Sequence, residues 1–439
     1  MSTWNNIEIS SFLTERKNRF KPAEANELGL KRLYKIDFSG KIHLLEGKQT
    51  NTNMILIKKG DLVISGINVE KGAVSIYQGD EDVLATIHYS SYGFDKSQID
   101  IDYFKWFLKS RTFKEVMQSQ VRGGIKTELK PKHFLPLKID LPDLPTQENI
   151  RDRINNISKE INEMNHFYAQ NENYVNKLCQ AIFQEAVQGK IISQNPNDEP
   201  ASVLLKKIKE EKEKMIKEKK IRKDKFLPPI KEEEIPFELP SGWDFVRIID
   251  VCYKITDGTH HTPRYVEEGV PFLSIKDIDF GKISYNSCRH ITSNEHKELI
   301  KRCKPEKNDL LFCRIGTLGR CALIRDDREF SIFVSLGLIK FFTNFIDKDY
   351  FEQLMNSPIM YKQYLEIKAG GLHTNKLNLT DMPKLIIPIP PLNEQKRIVE
   401  KIDQLMKLCD ELKIKVKENQ KNANLLMEAV LREAFEVKV

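Results

Sequence analysis

The sequence repeats itself, and the repeat limits what the chain can fold into more than any other feature. Ile36-Asp37-Phe38-Ser39-Gly40-Lys41-Ile42 matches Ile278-Asp279-Phe280-Gly281-Lys282-Ile283. Further on the matches settle at an offset of about 248 residues: Asp61-Leu62 with Asp309-Leu310, Ile99-Asp100 with Ile346-Asp347, Asp102-Tyr103-Phe104 with Asp349-Tyr350-Phe351, and Ser110 with Ser357. Gly123-Gly124 with Thr127 matches Gly370-Gly371 with Thr374, and Leu141-Pro142-Asp143-Leu144 matches Ile389-Pro390-Pro391-Leu392. Matches kept in order mark a duplicated unit, so whatever one copy forms must form twice. Each copy reads as α+β. Short runs such as Asn53–Ile57, Asp61–Ile64 and Asp309–Cys313 predict strands between Gly and Asn turns. One helix is expected at Tyr103–Gln118 and its counterpart at Tyr350–Ile367, with closing strands at Leu135–Leu141 and Leu385–Ile389.

A long amphipathic stretch follows each closing strand. The first carries Ile150, Ile154, Ile157, Ile161, Met164, Tyr168, Asn171, Val175, Leu178 and Ile182, and the second Ile398, Ile402, Leu405, Cys409, Leu412, Val416, Asn419, Ala423, Leu426 and Val430. Both step by four and three, the seam of a coiled coil, and even the polar Asn171 and Asn419 coincide. Ten such positions cover about 48 Å of helix, longer than one copy is wide, so the simplest partner for one helix is the other. Each helix leaves its own unit at its N-terminal end. Antiparallel pairing avoids crowding the two units together and predicts a pseudo-two-fold arrangement with the units at opposite ends.

Between the copies, Asn195-Pro196-Asn197-Asp198-Glu199-Pro200 is expected to break the first long helix. A Lys/Glu-rich stretch follows, with Leu204, Leu205, Ile208, Met215 and Ile216 as a thin apolar stripe, and predicts a solvated helix beside the coiled coil. The resulting division is 1–145, 146–194, 195–239, 240–392 and 393–439. With 439 residues and 40% apolar residues there is material for two cores. No apolar run approaches the roughly 20 residues needed to span a bilayer, and the N-terminal residues lack the pattern of a signal peptide, so a cytoplasmic protein is expected. The seven cysteines form no CxxC pair and predict buried thiols, and Cys288, His290, His296, Cys303 and Cys313 lack zinc-ligand spacing. No metal site is expected.

Chemistry-bearing motifs are missing. There is no GxxxxGK[ST] phosphate cradle, no GxGxxG after a strand, no HExxH, and no Asn/Asp-Pro-Pro-aromatic motif of an amino-methylating enzyme. His260-His261 offers no nucleophile–base pair. What remains is a set of polar, basic loops. Asp257–Arg264 holds Thr259, His260, His261 and Arg264; Lys276 follows; Arg314 and Arg320 flank a glycine-spaced turn; and His373, Thr374, Asn375 and Lys376 follow a Gly-Gly pair. Arg122, Lys126 and Thr127 are their counterparts in the first copy. Such donors suit phosphates and base edges, and a net charge of +7 permits a nucleic-acid partner. Taken together the loops predict a DNA-binding surface with no catalytic residue.

These features resemble the specificity subunit of type I restriction–modification enzymes, and the resemblance runs along nearly the whole chain. Ile387-Pro388-Ile389-Pro390-Pro391-Leu392-Asn393-Glu394-Gln395-Lys396-Arg397-Ile398 looks like that family's strand-to-helix junction, and Pro240-Ser241-Gly242-Trp243 like the opening of a target recognition domain. Asp257–Pro263, Phe272–Ile278 and Glu199–Ser202 also look like family segments. The first copy lacks the Pro-x-Gly-Trp opening, and its Leu144-Pro145-Thr146-Gln147-Glu148 only approximates the junction. The resemblance implies two tandem α+β target recognition domains reading a bipartite sequence in double-stranded DNA, with the coiled coil setting the gap. It implies no cofactor on this chain, two modification subunits using S-adenosylmethionine to methylate adenine at N6, and restriction subunits in the full complex. Leu408, Leu425, Met427 and Leu431, outside the seam, would dock modification-subunit helices. A free-standing double-module DNA-binding or scaffold protein has the same layout; a complex carrying two copies of a larger partner would distinguish the two.

Overall fold

The computed structural model describes residues 4–38, 40–47, 49–67, 73–120, 129–223, 226–369 and 375–436. It separates into two compact units: residues 1–170 with 416–439, and residues 171–415. Each unit therefore holds part of both long helices.

In the first unit the opening strand Asn5–Glu8 pairs antiparallel with the closing strand Lys138–Leu141, Asn5 opposite Leu141. A four-stranded sheet runs in the order Leu13–Glu15, Tyr89–Phe94, Leu62–Ser65, Val74–Ile76. In the second unit Asp244–Arg247 pairs with Ile386–Ile389, and a four-stranded sheet runs Cys252–Asp257, Leu336–Phe341, Leu310–Cys313, Cys321–Leu323. The spatial order is the same, so the duplication seen in sequence is a duplication of topology. The runs at 62–65 and 310–313 are buried along their whole length, as central strands must be. The remaining sheets differ. The first unit has a five-stranded sheet that includes Met54–Ile57, Val83–Thr86 and Arg32–Ile36. The second has four short strands at Tyr265–Val266, Arg289–Ile291, Val270–Leu273 and Ser331–Ile332.

The helix expected at Tyr103–Gln118 is two helices, Ile101–Phe107 and Arg111–Gln120, and that at Tyr350–Ile367 is Lys348–Met355 and Pro358–Ile367. The break is the matched serine. Ser110 Oγ accepts the amide of Phe113 at 3.2 Å, and Ser357 Oγ that of Met360 at 3.4 Å. A side-chain oxygen that satisfies an orphan amide starts a new helix, and Pro358 at its first position reinforces the start. Aspartates cap the preceding helices in the same way: Asp100 accepts from Tyr103 N and Asp347 from Tyr350 N.

The long helices are Leu144–Val187 and Leu392–Phe435, 44 residues each. A buried glutamine fixes each start. Gln147 accepts the amide of Asp100 at 2.8 Å and donates to Pro142 O at 2.8 Å; Gln395 accepts the amide of Asp347 at 2.7 Å and donates to Pro390 O at 3.0 Å. Both helix starts are thus tied to the cap of their own unit's helix pair. The first helix does not run to Asn195. It stops at Val187 because Gly189 takes φ +70°, with Lys190 N bonded to Glu185 O and Gly189 N to Ala186 O. That glycine-closed turn satisfies the last carbonyls before the proline is reached.

Pairing is antiparallel within each unit. In the first, Arg153 meets Glu433 at 3.1 Å, and Phe435 joins a core with Ile154, its ring 5.3 Å from Tyr103 and 5.7 Å from Phe107. In the second, Cys179 lies against Cys409, Gln194 reaches Glu394 at 3.3 Å and Arg397 reaches Asp198 at 2.6 Å. Of the expected seam, Ile154, Ile161, Ile402 and Cys409 are buried and Asn171 is half-buried. Leu178 is 46% exposed, Leu426 49%, and Asn419 is exposed as well. These three positions correct the expected seam, and Asn419 is no buried register residue. Leu408 and Leu425 are exposed, whereas Met427 and Leu431 pack on the first unit's core.

The Lys/Glu-rich helix is Ala201–Lys217, and it is not merely solvated. Ala201, Leu204 and Ile208 enter the core of the second unit, and Lys212 Nζ donates to Ile249 O and Cys252 O at 2.6 and 2.8 Å. The lysine ammonium thereby caps the short helix Ile248–Val251. Among the described residues no helix is long and apolar enough to cross a membrane, and no group of three His, Cys, Asp or Glu is placed to hold a metal.

Candidate nucleic-acid interface

In the second unit the loops singled out from sequence converge on one carboxylate. Asp257 ends the strand Cys252–Asp257 and is buried. Its oxygens pair with the guanidinium groups of Arg302 and Arg314, and one accepts from His260 Nε2 at 3.0 Å. Arg314 follows the strand Leu310–Cys313, separated from Cys252–Asp257 in the sheet by Leu336–Phe341, and is itself buried. Its Nε donates to Leu377 O at 3.2 Å and its Nη1 to Val334 O at 3.3 Å. Burial pulls the Arg314 guanidinium below its usual range, and the Asp257 carboxylate opposes that shift.

Backbone bonds complete the junction. Leu377 N donates to Arg314 O at 2.8 Å and Gly316 N to Asn375 O at 2.9 Å, while Arg302 Nη1 reaches Gly258 O at 3.3 Å. The loop after Asp257, the turn after Arg314 and the hairpin of Lys368–Ala369 with Lys376–Leu377 are therefore held side by side. Gly258 lets the loop after Asp257 lie against the backbone at Ile332, since a Cβ there would sit 2.0 Å from Ile332 O. Gly316 turns at φ +83°, where side chains are disfavoured.

On this base the candidate residues fall into two groups. Thr259 and Arg314 face inward. Thr259 is bridged to Phe333 and its Oγ1 lies 2.8 Å from His261 Nδ1, so it shapes the loop. Arg314 is consumed by Asp257 and two carbonyls, which corrects its expected place on the surface. The others are presented outward. The His260 and His261 side chains are 61% and 70% exposed. Arg264 is exposed, its amide on Glu295 at 3.3 Å, and the same carboxylate stands 4.0 Å from His261 Nε2. Lys276 is exposed on the turn Ile275–Asp277, whose Ile275 lies beneath Gly316. Arg320 is half-exposed over the Phe280 ring, 3.4 Å from Asp279. Asn375 and Lys376 are exposed at the base of the hairpin. His373 and Thr374, like Arg122, Lys126 and Thr127 of the first copy, lie outside the described residues.

Sequence reading missed Arg302 and Glu295. Arg302 reaches Asp257 from 45 residues away, and nothing local in the sequence signals it. Glu295 is the third residue of the helix capped by Thr292, a position legible as a helix start but not as a partner for His261 and Arg264.

The structure thus holds two α+β units of one topology, each delivering a long helix, and the second presents a face of polar loops. Residues 240–421 match the type I restriction modification DNA specificity domain. The chain is 30% identical over 267 residues to the type I restriction enzyme EcoEI specificity subunit of Escherichia coli, an alignment covering 58% of this chain and 44% of that protein. It is 31% identical over 251 residues to the EcoAI specificity subunit of Escherichia coli, covering 55% and 42%. The chain thus spans less than half the length of these relatives. Among solved structures, a chain from work on complex assembly and conformational transition of the type I R-M system superposes with a TM-score of 0.65 at 15% identity, covering 100% of this chain and 98% of that one. The HsdS subunit from Thermoanaerobacter tengcongensis superposes with a TM-score of 0.51 at 16% identity, covering 99% and 97%. At such identities the superpositions establish a shared fold.

Proposed function

We propose that the chain is the DNA-reading specificity subunit of a type I restriction–modification complex. The observation that carries this reading is the junction built on Asp257, Arg314 and Leu377, which gathers three separate loops into one outward face of His260, His261, Arg264, Asn375 and Lys376 inside the matched segment. Imidazole, guanidinium, amide and ammonium groups on a rigid base can contact phosphates and hydrogen-bond base edges in a major groove. The duplication supplies a second reader, so the target is bipartite, and the paired helices act as the spacer between its halves. In this reading the chain performs no chemistry. Two modification subunits dock on it and methylate adenine at N6 with S-adenosylmethionine, motor-nuclease restriction subunits join in the full complex, and the assembly works in the cytoplasm.

The test is to map methylation on DNA exposed to the full chain together with its modification partner. The expected result is two short sequence blocks at one fixed gap. A single contiguous motif, or methylation independent of this chain, overturns the proposal.

A further inference from the structure

We propose that the first unit reads its half of the target through a cleft lined by Arg16, Arg19, His88, Lys130 and Lys132. This inference rests on the DNA-reading function proposed above and assigns residues that offset matching did not find.

The counterpart positions follow from hydrogen bonds. In the second unit Arg314 N donates to Ser335 O at 3.0 Å, and Arg314 O accepts from Leu377 N at 2.8 Å. In the first unit Gly66 N donates to His88 O at 2.9 Å, and Gly66 O accepts from Leu129 N at 2.8 Å. Gly66, His88 and Leu129 therefore occupy the places of Arg314, Ser335 and Leu377. On the neighbouring strand Arg16 N donates to Ser91 O at 2.8 Å, where the second unit pairs Thr256 with Leu338. The segment from Arg16 to Arg19 thus stands where the Asp257–His260 loop begins, and Leu129 leads into Lys130 and Lys132 beside it. The same junction of strand ends is built in both units.

What differs is the anchor. In the second unit Asp257 clamps the junction from the loop itself. In the first, the clamp is Asp61, the match of Asp309: it is buried, pairs with the Arg16 guanidinium, and accepts Ser91 Oγ at 2.8 Å and Lys58 N at 2.9 Å. Arg16 is thus a positioning residue, and Arg19, His88, Lys130 and Lys132 are the exposed residues of the cleft. The cleft they line measures about 350 Å³. Glu15, 3.8 Å from Arg19, is the acidic side chain on its wall. A concave site dominated by cationic groups at the position of the second unit's polar face suits the phosphates and purine edges of a DNA duplex. Offset matching overlooked it because Arg16 stands at the place of Thr256, an offset of 240 residues, whereas Asp61 matches Asp309 at 248, so the shift arises between Arg19 and Asp61.

The test is selection from a random-sequence duplex pool by the full-length chain, comparing wild type, the double variant Arg19→Ala/Lys132→Ala, and Arg264→Ala. Wild type should select two blocks at a fixed gap. The double variant should lose preference in one block and bind the wild-type consensus about tenfold or more weakly, while Arg264→Ala should degrade the other block. Both altered side chains are exposed, so the thermal midpoint should not move. If both blocks survive in the double variant, or if its affinity falls equally on every duplex, the cleft is not the reading face. If wild type selects no block at all, the DNA-reading function itself fails, a result distinct from either of those.

Discussion

At the scale of single residues, Asp257 decides what the second unit's loops can be. It is buried between Arg302 and Arg314, and each of those arginines also holds a backbone carbonyl. Replacing Asp257 by Asn keeps the shape and removes the charge, leaving Arg314 buried without a counterion. Breaking one side of a buried pair costs about 3–5 kcal/mol, so Asp257→Asn should unfold at a clearly lower urea concentration than wild type. Arg264→Ala, at an exposed side chain, should stay within about 0.5 kcal/mol of wild type in the same experiment. Equal midpoints for Asp257→Asn and wild type would mean that the arginines are not anchored through this carboxylate. The sequence already marked Thr259 and Arg314 as donors beside glycines. Which donors turn inward depends on Asp257, Leu377 and Phe333, brought close only by the fold, so composition and spacing could not separate Arg314 from Arg264.

At the scale of elements, the strand runs at 62–65 and 310–313, the two long helices and their antiparallel sense were legible, because they rest on apolar runs and apolar periodicity; the helix starts at Ser110 and Ser357 were not read. Nor were the details of the seam. A strict heptad keeps one stripe only if the helix is under-wound, and a straight helix drifts by about 20° per heptad. At two places along the first helix burial accordingly falls one residue past the heptad position, while Val175 and Ile182 stay buried at theirs. Met164 is exposed while Asn165 is half-buried, and Leu178 is exposed while Cys179 is buried. Ile161 and Cys179 lie about five full turns apart, so they share a face that Leu178 does not. Ile154→Ala should then cost about 2–5 kcal/mol by leaving a cavity, whereas Leu178→Ala should cost less than about 1 kcal/mol. Urea denaturation of the two variants checks this, and similar losses at both positions would restore the heptad seam. The buried glutamines Gln147 and Gln395 were visible in the sequence but not their role, since their partners Asp100 and Asp347 lie 47 and 48 residues away.

At the scale of the whole molecule, the duplication separates two tasks. Each proposed reading face lies inside one unit, beside the Asp257–Arg314 pair in the second and the Asp61–Arg16 pair in the first, and neither pair involves a long helix. Each helix start is in turn tied to its own unit through Gln147 or Gln395. Under the proposed function, sequence preference therefore belongs to the units and the gap belongs to the helices. Inserting four residues after Leu178 tests that division. Four residues lengthen a helix by about 6 Å, on the order of one to two base pairs of duplex, and rotate the chain beyond the insertion by little more than one turn. Selection from a random duplex pool should return both half-sequences unchanged at an altered gap. Recovery of the original gap would remove the helices as the spacer, and loss of one half-sequence would show that the helix takes part in building that reading face.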